Sequence, residues 1–106
     1  MEIFDIKNMF RGWFLGDFEP SVYKTKDFEV GYLSHSKGEI WPTHYHEKVL
    51  EINLLIKGRI KFGDVIIEPG HIFIFKPFEI SEPEFLEDCE LVCIKTPSIP
   101  NDKVIV

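Results

Sequence analysis

The chain has 106 residues, a formal charge of −6 and a pI near 5.1. One domain, 1–106, is the natural assignment. The acidic balance argues against nucleic acid, where a basic patch supplies most of the affinity, and against an anionic membrane surface. Apolar residues make up 44% of the chain, enough for a packed core and too many for disorder. Ten phenylalanines and a complete lack of alanine favour a pleated, half-buried surface over helix.

The first five residues carry no basic region followed by a long apolar run, so no secretory signal is read there. No apolar stretch approaches the ~20 residues of a membrane-spanning helix, and a cytoplasmic location is the expectation. No window shows the i, i+3, i+4, i+7 pattern with caps at both ends that a helix requires. Turn formers instead recur at short intervals: Gly31, Gly38, Pro42, Gly58, Gly63-Asp64, Pro69-Gly70, Pro77, Pro83, Pro97 and Pro100. Short β-rich runs lie between them, the pattern of an all-β sandwich or barrel.

In chain order, residues 11–18 are an extra strand ahead of the main body. Strands are predicted over 29–35, 50–57, 59–62, 65–68, 71–76 and 90–96. Lys57-Gly58 and Gly63-Asp64 are the tight-turn candidates, because glycine relieves the φ > 0 restriction of such turns. The tail, 101–106, is expected to pair at an edge or exchange with a partner chain. Ile52-Asn53-Leu54-Leu55-Ile56 and Ile72-Phe73-Ile74-Phe75 do not alternate in the usual way. Strands apolar on both faces line the inside with one face and meet a second sheet or subunit with the other. A homodimer is the expectation, C2 being the commonest assembly; an N-terminal segment wrapped over the strand is the other reading. Cys89 and Cys93 fall on one face of a strand about 13 Å apart, too far for a disulfide, and are read as buried thiols.

The chemistry concentrates in one stretch. His44 and His46 are two residues apart, so on a strand both imidazoles point the same way. Glu51 follows, opening an apolar strand where a carboxylate is costly to bury unless a cation or hydrogen bonds compensate it. Two imidazoles and a carboxylate on one face make a facial set suited to iron, manganese, nickel or zinc, with positions left open for substrate.

The glycines around this set complete a recognisable pattern. Gly38, five residues, His44-Tyr45-His46, four residues, Glu51, six residues and Gly58 fill every position of the first cupin motif at permitted spacing. The chain therefore resembles the cupin superfamily, as a small single-domain member. The resemblance implies a cupin-type antiparallel β-barrel, or double-stranded jelly roll, of six or more strands over about residues 27–97. It also implies a divalent transition metal held by His44, His46 and Glu51.

The second motif departs from the family. With Gly70 in the first position, the expected fourth ligand, a histidine, falls on Ser81, and the expected asparagine on Phe85. Glu82, one residue further, would reach the metal only from a bulged loop, because in a regular strand it faces the other way. His71 begins a strand and is given a structural or rim role. His35 is expected either to look into the barrel or to serve as a hydrogen-bonded partner. Tyr32 and Trp41 are pocket-lining candidates, with core packing as their alternative use. Tyr45, between the two histidines, points away from the metal. The Arg11-Gly12-Trp13-Phe14 segment caps the barrel mouth or forms a dimer contact.

The sequence offers no phosphate loop, no Cys-x-x-Cys pair and no nucleophile elbow. The expected function is a small cytoplasmic cupin that binds a divalent metal through two histidines and one glutamate and binds or acts on a small polar molecule. Two alternatives stand beside it: a metal-free module binding a sugar or carboxylic acid, and a metal-free sugar-modifying enzyme using a histidine base. Whether the protein is an enzyme is left open.

Overall fold

The computed structural model describes all of residues 1–106. After a single 3-10 turn at Ile6–Asn8, ten strands follow: β1 (Trp13–Leu15), β2 (Glu29–His35), β3 (His44–Tyr45), β4 (Leu50–Lys57), β5 (Ile60–Phe62), β6 (Val65–Ile67), β7 (Ile72–Phe75), β8 (Glu84–Phe85), β9 (Cys89–Thr96) and β10 (Val104–Ile105). Every pairing is antiparallel. One sheet has the order β1-β2-β9-β4-β7, a second β6-β5-β8, and β10 pairs with β3. No helix is long and apolar enough to cross a membrane.

The predicted strands over 29–35 and 50–57 coincide with β2 and β4, and the others differ by a residue or two at their ends. The predicted strand over 11–18 shrinks to β1. The short strands β3, β8 and β10 have two residues each, too few for an alternation to show; of them only β8 had no counterpart in the sequence reading, which put His44 on a strand and expected the tail to pair. The tail pairs within its own chain, Val104 opposite Tyr45 and Ile105 opposite His44.

Alternation along the long strands gives the large sheet two distinct faces. On the inner face, Leu33, Leu91 and Leu55 stand in one cross-strand row. The next row holds Gly31, Cys93, Asn53 and Phe73, and the one after it Glu29, Lys95, Glu51 and Phe75. The buried core is Leu55, Ile60, Ile67, Phe85, Cys89, Leu91 and Cys93, so it fills the end of the barrel where the leucine row lies. Both cysteines are buried free thiols.

Gly58 turns the chain from β4 into β5 at φ +92°, and a Cβ there would sit 2.4 Å from the Asp88 carbonyl oxygen and 2.6 Å from Cys89 Sγ. This last position of the motif therefore needs glycine for both conformation and space.

The outer face is apolar as well. Val30, Ile94, Ile52 and Ile74 form one row, and Tyr32, Val92, Leu54 and Ile72 the next. Ile72 is 67% and Ile74 50% exposed. The N-terminal segment does not wrap them, because β1 joins the sheet at the edge opposite β7.

Candidate metal centre

His44 lies on β3, and His46 just beyond it. Pairing with β10 on one side and an isolated bridge to Ser81 on the other hold β3 in place. Both histidines are buried, their rings edge to face with centroids 5.4 Å apart. Glu51 projects from the inner face of β4. All three line one cavity of about 860 Å³, a volume ordinary for a small-molecule site.

Backbone carbonyls set the histidine tautomers. His44 Nδ1 lies 2.9 Å from the Pro42 carbonyl oxygen, and His46 Nδ1 bonds the Asp102 carbonyl oxygen. A carbonyl only accepts, so each Nδ1 carries the proton and each Nε2 keeps a free lone pair. Such outer hydrogen bonds characteristically orient metal-ligating histidines. Nε2 of His46 is buried without a hydrogen-bond partner; Oε1 of Glu51 stands 3.3 Å away but is not aligned for a bond. Glu51 accepts instead from Asn53 Nδ2 at 2.9 Å.

Burial lowers the His44 pKa; the Pro42 carbonyl opposes this, and the charges of Lys103 and His46 add to it. Burial alone would raise the Glu51 pKa, but the approach of His46 and Asn53 and the charge of Lys95 bring it below its ordinary value. The site thus favours a neutral His44 imidazole beside an ionised Glu51 carboxylate, the protonation states that metal ligation needs. As they stand, no three His, Cys, Asp or Glu side chains are gathered closely enough to hold an ion. Fit to a metal therefore rests on the donor set: two imidazoles held by their Nδ1 hydrogens, one orphaned Nε2 and an ionised carboxylate.

Ser81 occupies the position where the second motif expects its histidine. It is buried, lines the cavity and exchanges backbone hydrogen bonds with His44 at 3.2 and 2.8 Å. Glu82, offered as a further ligand, does not join the set. It is exposed and absent from the cavity wall, because Ser81 before it points inward and the chain alternates.

The proposed pocket residues divide. His35 and Trp41 face the cavity. His35 stacks on Phe85 at 4.4 Å and places Nδ1 2.6 Å from Glu39 Oε2; Trp41 Nε1 donates to the same oxygen. Tyr32 also borders the cavity, but only at its rim, since its place in β2 alternates outward and its hydroxyl donates to Glu90 on the outer face at 2.9 Å. His71 is exposed, its Nδ1 accepting from the Glu68 amide in a turn.

Sequence reasoning missed four contributors. Lys95 continues the inward series of Cys89, Leu91 and Cys93 on β9, a signal that alternation alone carried. Glu39 lies in a loop without periodicity. Asp102 and Lys103 belong to the tail, and nothing local marks them. The Asp102 carboxylate accepts from the amides of Lys48 and Val49 at 2.9 and 3.0 Å, and from that of Glu47 at 3.4 Å. Its carbonyl orients His46, so one tail residue holds both the loop between the ligands and a ligand itself.

No protein-family model matches this sequence, and neither does any curated protein. Solved structures do. A Klebsiella pneumoniae protein described as having a double-stranded β-helix domain matches 98% of this chain and 90% of its own, at 18% identity and a TM-score of 0.68. KdgF from Halomonas sp. matches 69% and 72%, at 20% identity and a TM-score of 0.63. The DMSP lyase DddQ from Ruegeria pomeroyi matches 84% of this chain at 12% identity and a TM-score of 0.70, although the match spans only 48% of the lyase. An RmlC-like cupin from Ralstonia eutropha is also similar, with a TM-score of 0.60. The protein has the cupin fold, a double-stranded β-helix of small size. The candidate site gathers His44, His46 and Glu51 on one cavity wall, with Ser81 beside them.

Proposed function

We propose that this protein is a small cupin that holds a divalent transition metal (iron, manganese, nickel or zinc) through His44, His46 and Glu51 and binds or acts on a small polar molecule in the same cavity. The observation that carries this reading is the orphaned Nε2 of His46, buried 3.3 Å from an ionised carboxylate it does not bond. A buried polar atom without a partner is costly, and a cation between the two groups would satisfy both. Such a metal supplies Lewis acidity or a template for substrate. The protein's own groups do the rest: Pro42 and Asp102 orient the imidazoles, Asn53 steadies Glu51, and the aromatic wall of Trp41, Phe73 and Phe75 limits water. With Ser81 in the fourth-ligand place, water or ligand would complete the shell. Several matched structures carry enzyme names, among them a DMSP lyase and an oxalate decarboxylase. Their likeness in fold supports the reading that a small molecule is bound or converted here.

Elemental analysis of protein purified without a tag or chelator tests the reading. About one equivalent of metal, lost in His46→Ala, is expected; none after reloading would sink it.

A second reading is favoured by one observation, the 2.6 Å contact of His35 and Glu39. A histidine oriented by a carboxylate serves as a general base without metal. Turnover that survives exhaustive chelation and is lost in His35→Gln would decide for it.

The proposal includes a homodimer through the outer face of the large sheet, supported by its two apolar cross-strand rows and the exposure of Ile72 and Ile74. Light scattering would find a dimer that Ile74→Lys converts to monomer.

A further inference from the structure

The four acidic side chains that border the cavity all have donors of their own. Glu29 accepts from the Ser98 hydroxyl at 2.9 Å, Glu39 from His35 and Trp41, Glu51 from Asn53, and Asp102 from backbone amides. The two lysines on the same wall, Lys95 and Lys103, have neither a hydrogen bond nor a carboxylate within ion-pair distance. Lys95 stands in register between Glu29 and Glu51, yet its ammonium turns away from both to lie 4.9 Å above the Trp13 ring. Lys103 comes from the tail and lies 4.5 Å above Trp41. Although Lys103 is exposed as a residue, its ammonium feels the wall: desolvation lowers its pKa, the charge of Lys95 lowers it further, and Glu51 opposes them. The two cations therefore share one electrostatic neighbourhood. In a chain of net charge −6, the cavity wall thus carries two lysine ammonium groups with no anionic partner.

We propose that the cavity binds a small organic carboxylate, its anionic end held by the ammonium groups of Lys95 and Lys103 and its remainder directed towards His44, His46 and Glu51. This takes the metal-centre reading as its starting point and names the class of ligand that the site receives. A neutral sugar would leave both ammonium groups unpaired. An anion forms charge-assisted bonds with them, roughly twice as strong as neutral ones, in a walled cavity where they are screened less than on a surface. The tryptophans beneath the ammonium groups hold them in place by cation–π attraction until the ligand arrives.

The chain has two tryptophans, one beneath each lysine, so the indole N–H signals of 15N-labelled protein report each amine separately. Acetate, malonate and succinate are titrated with and without one equivalent of zinc, beside the neutral succinamide, and zinc uptake is measured independently. At least one carboxylate should move both indole signals saturably, and succinamide should move neither. Lys103→Met and Lys95→Met should each weaken binding by about tenfold, the loss of one charge-assisted bond, and Lys103→Arg should restore most of it. Lys103 is exposed, so its variants keep the fold even if Lys95→Met does not. Absence of saturable shifts with all three carboxylates, equal shifts with succinamide, or unchanged affinity in Lys103→Met overturns the proposal. Lysine-dependent carboxylate binding in a protein that takes up no zinc would uphold it and remove the metal reading alone. Zinc uptake with lysine-independent carboxylate binding would remove this proposal alone.

Discussion

The two ends of the barrel are built from the same strands and do opposite work. Along the inner face of β4 the side chains run Leu55, Asn53, Glu51, and beside them on β9 run Leu91, Cys93, Lys95. Leu55 is fully buried among Ile60, Phe85 and Cys89, where apolar area removed from water supplies the driving force for folding. Two rows further on, Glu51 and Lys95 stand side by side on the wall of the cavity, and water or a ligand must satisfy what the protein leaves open. One end is therefore sensitive to volume and the other to charge.

The largest expected effect tests the closed end. Leu55→Ala leaves a cavity in the core and should cost about 3 kcal/mol, a fall in Tm of roughly 15 °C for a domain of this size. Calorimetry reads it, and metal content per folded molecule should be unchanged. At the open end, His46→Ala should do the reverse. It removes a ligand outright, so metal affinity should fall by at least about 100-fold, beyond the 10–100-fold typical of a supporting partner. Its stability without metal should fall by about 1–2 kcal/mol, less than in Leu55→Ala, because the Nδ1 bond to the Asp102 carbonyl is lost while the orphaned Nε2 contributes nothing. Equal losses of stability in both variants would erase the distinction between the ends.

Asp102→Ala sharpens the comparison, since this residue couples the tail to the site. Losing a carboxylate that accepts from backbone amides should cost about 2 kcal/mol. The carbonyl that orients His46 is retained, but the 47–49 loop is no longer tied to the tail that presents it, so metal affinity should drop by at most about tenfold, read by competition with a chelator. The smallest effect concerns Glu39. Burial would raise its pKa, but the bonds from His35 and Trp41 and the Ser36 amide bring it below the ordinary carboxylate value. Its stabilisation is therefore present above that value and is lost as pH falls through the lower folded-state pKa. In thermal melts between about pH 5 and 3, the parent should lose more stability than Glu39→Gln. The difference should be at most about 1 kcal/mol, since a partly exposed pair is screened.

The fold, and the convergence of three candidate residues on one cavity, were legible in the sequence because each rests on a local rule. β-Rich runs between turn formers placed β2 and β4 at their observed bounds, and glycine and proline marked the turns. The i, i+2 geometry put His44 and His46 on one wall of one cavity, and the motif spacing added Glu51. Ser81, which falls where the second motif expects a histidine, pairs with His44 through an isolated bridge. Lys95 was within reach of the same reasoning, since it continues the inward series on β9. What lay beyond reach depends on contacts between residues far apart in the chain. Tyr32 stands at the cavity rim, with its hydroxyl turned outward, because strand register and not its aromatic character sets its direction. The Asp102 carbonyl reaches His46 across 56 positions, and Lys103 arrives over Trp41 only because β10 pairs with β3. Sequence alone determined the elements and the ligand candidates, since periodicity and spacing are properties of neighbouring residues. Only the tertiary structure decided which tail closes the cavity, which carboxylates are already satisfied and which cations are left waiting, because each depends on the partner that folding brings near.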